Sequence, residues 1–96
     1  MTLDELIRAR KEDILKLAER NGARDVRVFG SVARGEAKPG SDVDLLVRFD
    51  KGRSLLDHAA FLLDLTDLLG CQVDVVSENG INPRIRERVL KEAVPL

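Results

Sequence analysis

Apolar residues recur every three or four positions along the first part of the chain, which is the spacing of an amphipathic helix. Thr2 followed by Glu5 forms a capping-box pattern at its start, and Asn21-Gly22 is expected to stop it. The positions that share this apolar stripe are Leu3, Leu6, Ile7, Ile14, Leu17 and Ala18. The pattern therefore predicts one amphipathic helix at the beginning of the chain.

Three short segments rich in β-branched residues predict strands. They cover residues 26–30, 42–49 and 71–77, and the first of them ends in glycine. Between the first two strands, residues 31–34 are compatible with a brief helical turn. Residues 35–41 contain two glycines and a proline, so this segment is predicted to be a loop.

Two further helices are predicted in the second half of the chain. Ser54 is a good cap for a helix over residues 55–69, and Pro83 is suited to the first position of a helix over residues 83–94. The elements alternate without repeats or linkers. The sequence therefore predicts one α+β domain over residues 1–96, with a small mixed β-sheet flanked by α-helices.

Composition excludes several classes of function. The formal net charge of -1 provides no basic field, so no direct contact with nucleic acid is expected. Cys71 is the only cysteine and His58 the only histidine, which excludes an internal disulfide and a zinc site. No apolar run is long enough to cross a bilayer, so we expect a cytoplasmic protein without a membrane partner.

Acidic residues lie on two of the predicted strands. Asp42 and Asp44 point to the same face of a strand, about 6.6 Å apart, where their like charges repel. A hard divalent cation with oxygen ligands would offset that repulsion, and magnesium is the natural candidate. Asp74, on the third strand, completes a three-carboxylate cluster if the two strands are neighbours. Such a cluster could hold two ions about 3.5 to 4 Å apart.

Gly30-Ser31 lies where the first strand gives way to a turn. Free backbone N–H groups and a hydroxyl at such a place can cradle phosphate oxygens, and glycine permits a close approach. Combined with the aspartates, this pair predicts a magnesium-nucleotide site, with the triphosphate at Gly30-Ser31 and the metals at the carboxylates.

The stretch GSVARGEAKPGSDVDLLV, residues 30–47, resembles the Gly-Ser, ten residues, Asp-x-Asp motif of the DNA polymerase β-like nucleotidyltransferase superfamily. Its GSxARG opening, its SDxDLLV continuation and the later VDVV are similar to the minimal nucleotidyltransferases. These are MntA-type antitoxins that are paired with HEPN-domain ribonuclease toxins. The resemblance covers nearly the whole chain, and it implies the polymerase β-like palm fold.

The resemblance also implies roles for individual residues. Gly30 and Ser31 would hold the nucleotide phosphates, and Asp42 and Asp44 would bind both metals. Asp74 would bind the catalytic metal and help to deprotonate the attacking hydroxyl.

Arg34 is a candidate phosphate contact in the same motif. A salt bridge with Glu36 or another surface acid explains this arginine equally well.

The activity that the resemblance implies is transfer of AMP from ATP, with two Mg²⁺ ions, to a hydroxyl of a HEPN toxin. The acceptor would be a tyrosine near the ribonuclease motif, and its modification would silence the toxin. An alternative is an antitoxin that acts by binding alone, against which the three intact aspartates argue. A small-molecule nucleotidyltransferase is disfavoured, because such enzymes carry an additional substrate-binding domain.

The helix over residues 55–69 has more apolar surface than one core-facing side needs. One arc is predicted to face the core and comprises Leu55, Leu56, Ala59, Leu62, Leu63 and Leu69. A second stripe, Phe61, Leu65 and Leu68, is either covered by another part of the chain or contacts the partner protein or a second copy of the chain, and the contact is favoured because so short a chain has little left to cover it. His58 lies on a polar side of this helix and is expected to be a surface residue.

Overall fold

One four-stranded sheet organises the computed structural model, which describes residues 1–96. Its strands are β1 (Ala23–Phe29), β2 (Val43–Phe49), β3 (Val73–Ser77) and β4 (Val94–Pro95). They lie in the order β3-β2-β1-β4. β1 runs antiparallel to β2 and to β4, whereas β2 and β3 are parallel. The predicted small mixed sheet is confirmed.

Five α-helices accompany the sheet, and three of the five begin at a capping side chain. They are α1 (Leu3–Ala9), α2 (Lys11–Arg20), α3 (Gly30–Ala33), α4 (Leu55–Leu69) and α5 (Pro83–Glu92). Thr2 and Ser54 form capping boxes at the starts of α1 and α4. The single first helix that the periodicity predicted is divided at Arg10, whose φ of -106° and ψ of 12° are not helical. The apolar pattern continues through this break, so periodicity alone does not reveal it.

The two faces of the sheet are covered differently. Val43, Leu45 and Val47 are fully buried in a large cluster that also contains residues of α1, α2 and α4. Leu46 packs instead against Ile81 and Val89 in a smaller cluster that includes α5. Because side chains alternate along a strand, Asp44 shares the α5 side of β2 with Leu46. The helix α5 therefore lies on the face of the sheet that carries this aspartate.

The predicted end of the last helix is wrong by two residues. Residues 83–94 were expected to be helical, but α5 ends at Glu92 and Val94–Pro95 pairs with β1. Val94 precedes Pro95 and is therefore disfavoured in helical geometry, and the chain is already extended at Ala93. The result is a short fourth strand that the apolar pattern did not predict.

The prediction of which α4 side chains face outward is also wrong. Phe61 and Leu65 are 0% exposed and belong to the core, and Leu68 is half-buried against it. Leu55 and Leu56 are 85% and 81% exposed instead. Both arcs of α4 are apolar, so the helical wheel cannot decide between them. The surplus apolar surface exists, but on the side opposite to the predicted Phe61/Leu65/Leu68 face.

His58 helps to set this orientation of α4 and is not the surface residue that was expected. Its Nε2 lies 2.8 Å from the carbonyl oxygen of Val75 on β3, and its ring stacks on Phe49 at 5.2 Å. Phe61 meets the same Phe49 ring edge to face.

None of the helices reaches the length and apolar character that crossing a membrane requires.

Candidate active site

Two of the predicted carboxylates lie side by side on neighbouring strands. In the parallel pairing of β2 with β3, Asp44 is in register with Asp74. Asp44 is half-buried, whereas Asp74 is exposed because β3 is an edge strand. Asp42 immediately precedes β2 and is exposed. The structure therefore brings Asp44 and Asp74 together and leaves Asp42 just before the start of β2.

The charge on Asp44 is poorly compensated within the protein. Burial raises the pKa of this carboxyl to about 6, with further increases from the charges of Asp74 and Asp42. Arg34 acts in the opposite direction, and Glu92 adds to the increase. At neutral pH the ionised group is held in a partly desolvated place among other acids. A cation at this position would favour the ionised form of Asp44.

The predicted three-carboxylate cluster is not formed, because only Asp44 and Asp74 are in register and Asp42 lies before the start of β2. No group of three or more His, Cys, Asp or Glu side chains is arranged to hold an ion. Carboxylate oxygens nevertheless fit magnesium, which is commonly bound by one or two carboxylates together with substrate phosphates and water. The crowding that raises the pKa of Asp44 also favours a cation there. The donor set therefore fits a metal that arrives with a nucleotide.

Gly30 brings the backbone against this carboxylate. Phe29, the last residue of β1, pairs with Asp44, and the chain then turns into α3 at Gly30 with a φ of +74°. A Cβ atom at this position would lie 2.2 Å from Oδ2 of Asp44. Both the backbone conformation and the close contact therefore require glycine. Ser31 follows, half-buried, in the first turn of α3.

Arg34 caps the end of α3 and holds two carboxylates. Its Nε lies 3.2 Å from Oε1 of Glu36, so the salt bridge weighed above as an alternative role for Arg34 is present. Its Nη1 donates a hydrogen bond to Oε1 of Glu92. The bond to Glu92 and then the bond to Glu36 raise the pKa of the guanidinium. The other oxygen of Glu92, Oε2, accepts a hydrogen bond from the Gly30 N–H at 3.3 Å.

Glu92 is the residue of this site that sequence reasoning missed. It lies 58 positions from Arg34, and only the docking of α5 brings the two together. One signal was present: a carboxylate in the last turn of a helix opposes the helix dipole, so some other contact must favour it.

The site is an open surface rather than a cavity. Two of the larger cavities, of about 410 and 330 Å³, are lined by other residues, one around Phe49 and His58 and the other between α1 and β4. The carboxylates line neither of them, so a ligand at Asp44 would be accessible to a macromolecule.

Known proteins are similar to this chain in sequence and in fold. The family model described as nucleotidyltransferase domain matches residues 8–96. The protein adenylyltransferase MntA of Thermococcus cleftensis is 42% identical over 94 residues, which cover 98% of this chain and 95% of that protein. A solved structure described as a candidate minimal nucleotidyltransferase is 60% identical, with a TM-score of 0.89, and the match covers 100% of this chain and 97% of that one.

A crystal structure of a toxin-antitoxin with AMP-PNP has the same fold. Its matching chain superposes with a TM-score of 0.76 at 21% identity, and the match covers 88% of this chain and 70% of that one.

Proposed function

Because this chain belongs to the nucleotidyltransferase family, as its Gly-Ser and Asp-x-Asp motif predicted, we propose that it transfers AMP from ATP to a hydroxyl of a partner protein. The predicted enzyme class is confirmed by relatives that are protein adenylyltransferases. The observation that carries the proposal is the register of Asp44 with Asp74, directly beside the backbone of Gly30.

The phosphate end of the site would be formed by α3 and the turn before it. The Gly30 N–H and the Ser31 hydroxyl would donate to the triphosphate, and Arg34 would contribute a permanent positive charge. Glycine at position 30 lets the phosphates approach the backbone next to Asp44. This arrangement would bring the phosphates next to the carboxylates.

The carboxylate end would perform the chemistry. Asp44 and Asp74, with Asp42 just before β2, would bind two Mg²⁺ ions only together with the triphosphate, whose oxygens would supply the ligands that the carboxylates lack. The ions would neutralise charge on the phosphoryl oxygens. The acceptor oxygen forms a bond to the α-phosphorus while the bond from that phosphorus to the bridging oxygen breaks, and pyrophosphate leaves. Asp74 would accept the proton of the incoming hydroxyl, a role supported by its exposure to solvent beside Asp44.

The proposed acceptor is a tyrosine of a HEPN-domain ribonuclease toxin, which the modification silences. This assignment rests on the motif resemblance and is supported by two similar proteins: one is named MntA, and the other is a toxin-antitoxin crystallised with AMP-PNP. The open site at a sheet edge suits a protein substrate. We expect the reaction in the cytoplasm, where ATP and the toxin's RNA are found.

The test mixes the purified protein with the toxin encoded beside its gene, together with ATP and Mg²⁺. The expected product is a toxin whose mass has increased by one or more AMP groups, located on a tyrosine by peptide mapping. The double variant Asp42→Asn with Asp44→Asn should give no increment. Asp67→Asn, an exposed acid on α4, is the matched control and should react normally.

The same variants separate transfer from binding alone. If the double variant still neutralises the toxin as fully as the native protein, the antitoxin acts by contact, and the transfer reaction is not its means of neutralisation.

A further inference from the structure

Glu92 occupies the place where the proposed function puts nucleotide phosphates. Its two carboxylate oxygens bond to the Gly30 N–H and to the Arg34 guanidinium, which are two of the three proposed phosphate contacts. The side chain is only 18% exposed, so the carboxylate is held within the site rather than in solvent. An anion from the chain itself therefore lies in the proposed anion site.

One backbone N–H cannot donate fully to two anionic acceptors. A phosphate oxygen that takes the Gly30 N–H must replace Oε2 of Glu92, and a triphosphate beside an undisplaced carboxylate would meet like-charge repulsion. We propose that Glu92 competes with nucleotide for the phosphate site. Nucleotide must displace this carboxylate in order to bind, so Glu92 sets the nucleotide affinity. This inference rests on the proposed function.

Displacement needs only a side-chain rotation. Val89, one helical turn before Glu92, is 3% exposed and packs with Leu46 and Ile81, so α5 is anchored to the sheet. When Glu92 leaves, Arg34 retains Glu36 as a partner and is available to phosphate. The helix stays in place while the carboxylate alone exchanges with the ligand.

The experiment measures the Kd of AMP-PNP with Mg²⁺ by calorimetry for the native protein, Glu92→Gln and Glu92→Ala. Removing the competing charge should tighten binding by about 5- to 10-fold in both variants, a change typical of one lost charge-assisted contact. Two variants are used because Gln keeps the shape and hydrogen bonding of the side chain, whereas Ala needs no new partner. Thermal melts verify that each is folded.

Two matched variants isolate the effect. Glu36→Gln removes the other partner of Arg34 but does not touch Gly30, and Glu87→Gln makes the same charge change on α5, where Glu87 pairs only with Lys91. Each should change the Kd less than about twofold.

The outcomes distinguish this inference from the function on which it rests. Native binding with no gain in either Glu92 variant, or with a loss, overturns the inference alone and makes Glu92 a positioning residue for Arg34. Absence of binding in the native protein and in both variants overturns the nucleotide site and the inference together.

Discussion

The two halves of the candidate active site balance their charges in opposite ways. At the phosphate end, Arg34 and the Gly30 N–H are already paired with Glu92, so two of the three proposed phosphate donors have an internal acceptor. At the metal end, burial and then the charges of Asp74 and Asp42 raise the pKa of Asp44 to about 6, and the opposing charge of Arg34 offsets only part of this increase. The fold compensates the charges at the phosphate end but not the charges at the metal end.

This difference indicates what kind of ligand completes the site. A free anion could compete for the phosphate end but would leave the acids repelling one another. A free cation would relieve the acids but would leave Glu92 in place. A metal-nucleotide carries both charges in one molecule, so it can bind both halves at once. The predictions below alter one half at a time.

The largest effect is expected from the metal end. Asp74→Asn should lower the rate of AMP transfer about 100- to 1,000-fold, because it removes both a ligand and the acceptor of the hydroxyl proton. Rapid-quench assays with labelled ATP measure the rate. Asp67→Asn should match the native protein. A fully active Asp74→Asn variant would show that the register of Asp74 with Asp44 is not used in catalysis.

The boundary between the halves is tested by substituting the glycine that separates them. Gly30→Ala should destabilise the protein by about 2 kcal/mol or more, because it combines left-handed backbone strain with a Cβ atom 2.2 Å from Asp44. Gly35→Ala is the matched control: its φ is also positive, at +72°, but no atom lies within 4 Å of the added carbon. Urea denaturation gives both values.

The comparison of the two glycines separates strain from contact. Gly35→Ala should cost about 1 kcal/mol and leave nucleotide binding intact. Equal costs for the two variants would contradict the conclusion that Gly30 is required by the approach of its backbone to the carboxylate.

Much of this site was predictable because its residues are close in the sequence or on adjacent strands. The gap between Ser31 and Asp42 and the alternation around Asp74 identify a family motif, and strand neighbours share a register that pattern can anticipate. The sequence order of elements likewise predicted the mixed sheet. Local patterns therefore predicted both the sheet and the acids on it.

What escaped prediction depends on packing between distant elements. Glu92 reaches Gly30 only because Val89 docks α5 on the sheet, and no local pattern encodes that distance. The orientation of α4 depends on the contacts of His58 with Phe49 and β3 and of Phe61 with Phe49, whereas in the sequence the arc with more apolar residues is the one that stays largely exposed. Tertiary contacts decided each case.

At the phosphate end, loss of the Arg34 charge should have a smaller effect. Arg34→Ala should weaken AMP-PNP binding about 10-fold, because one charge-assisted contact to phosphate is lost. Arg34→Lys should recover part of this, since it keeps the charge without the fork of donors. Arg8→Ala removes an exposed arginine that pairs with Asp4 and should have no effect. Native affinity in Arg34→Ala would remove this residue from the site.

The smallest effect concerns the stability of the ligand-free protein. Asp44 binds its proton more tightly when folded, with a pKa of about 6 against an ordinary 3.8, so folding loses stability as pH rises between these values. Asp44→Asn should therefore be more stable than the native protein above pH 6, by about 1 kcal/mol once solvent screening of this half-buried group is allowed for. At pH 3, below both pKa values, the two should be equally stable.

Urea denaturation in EDTA at pH 3 and pH 7.5 measures the difference, and Asp67→Asn should show none. An Asp44→Asn variant no more stable than the native protein at pH 7.5 would mean that the metal end is not strained, and the contrast between the two halves would be lost.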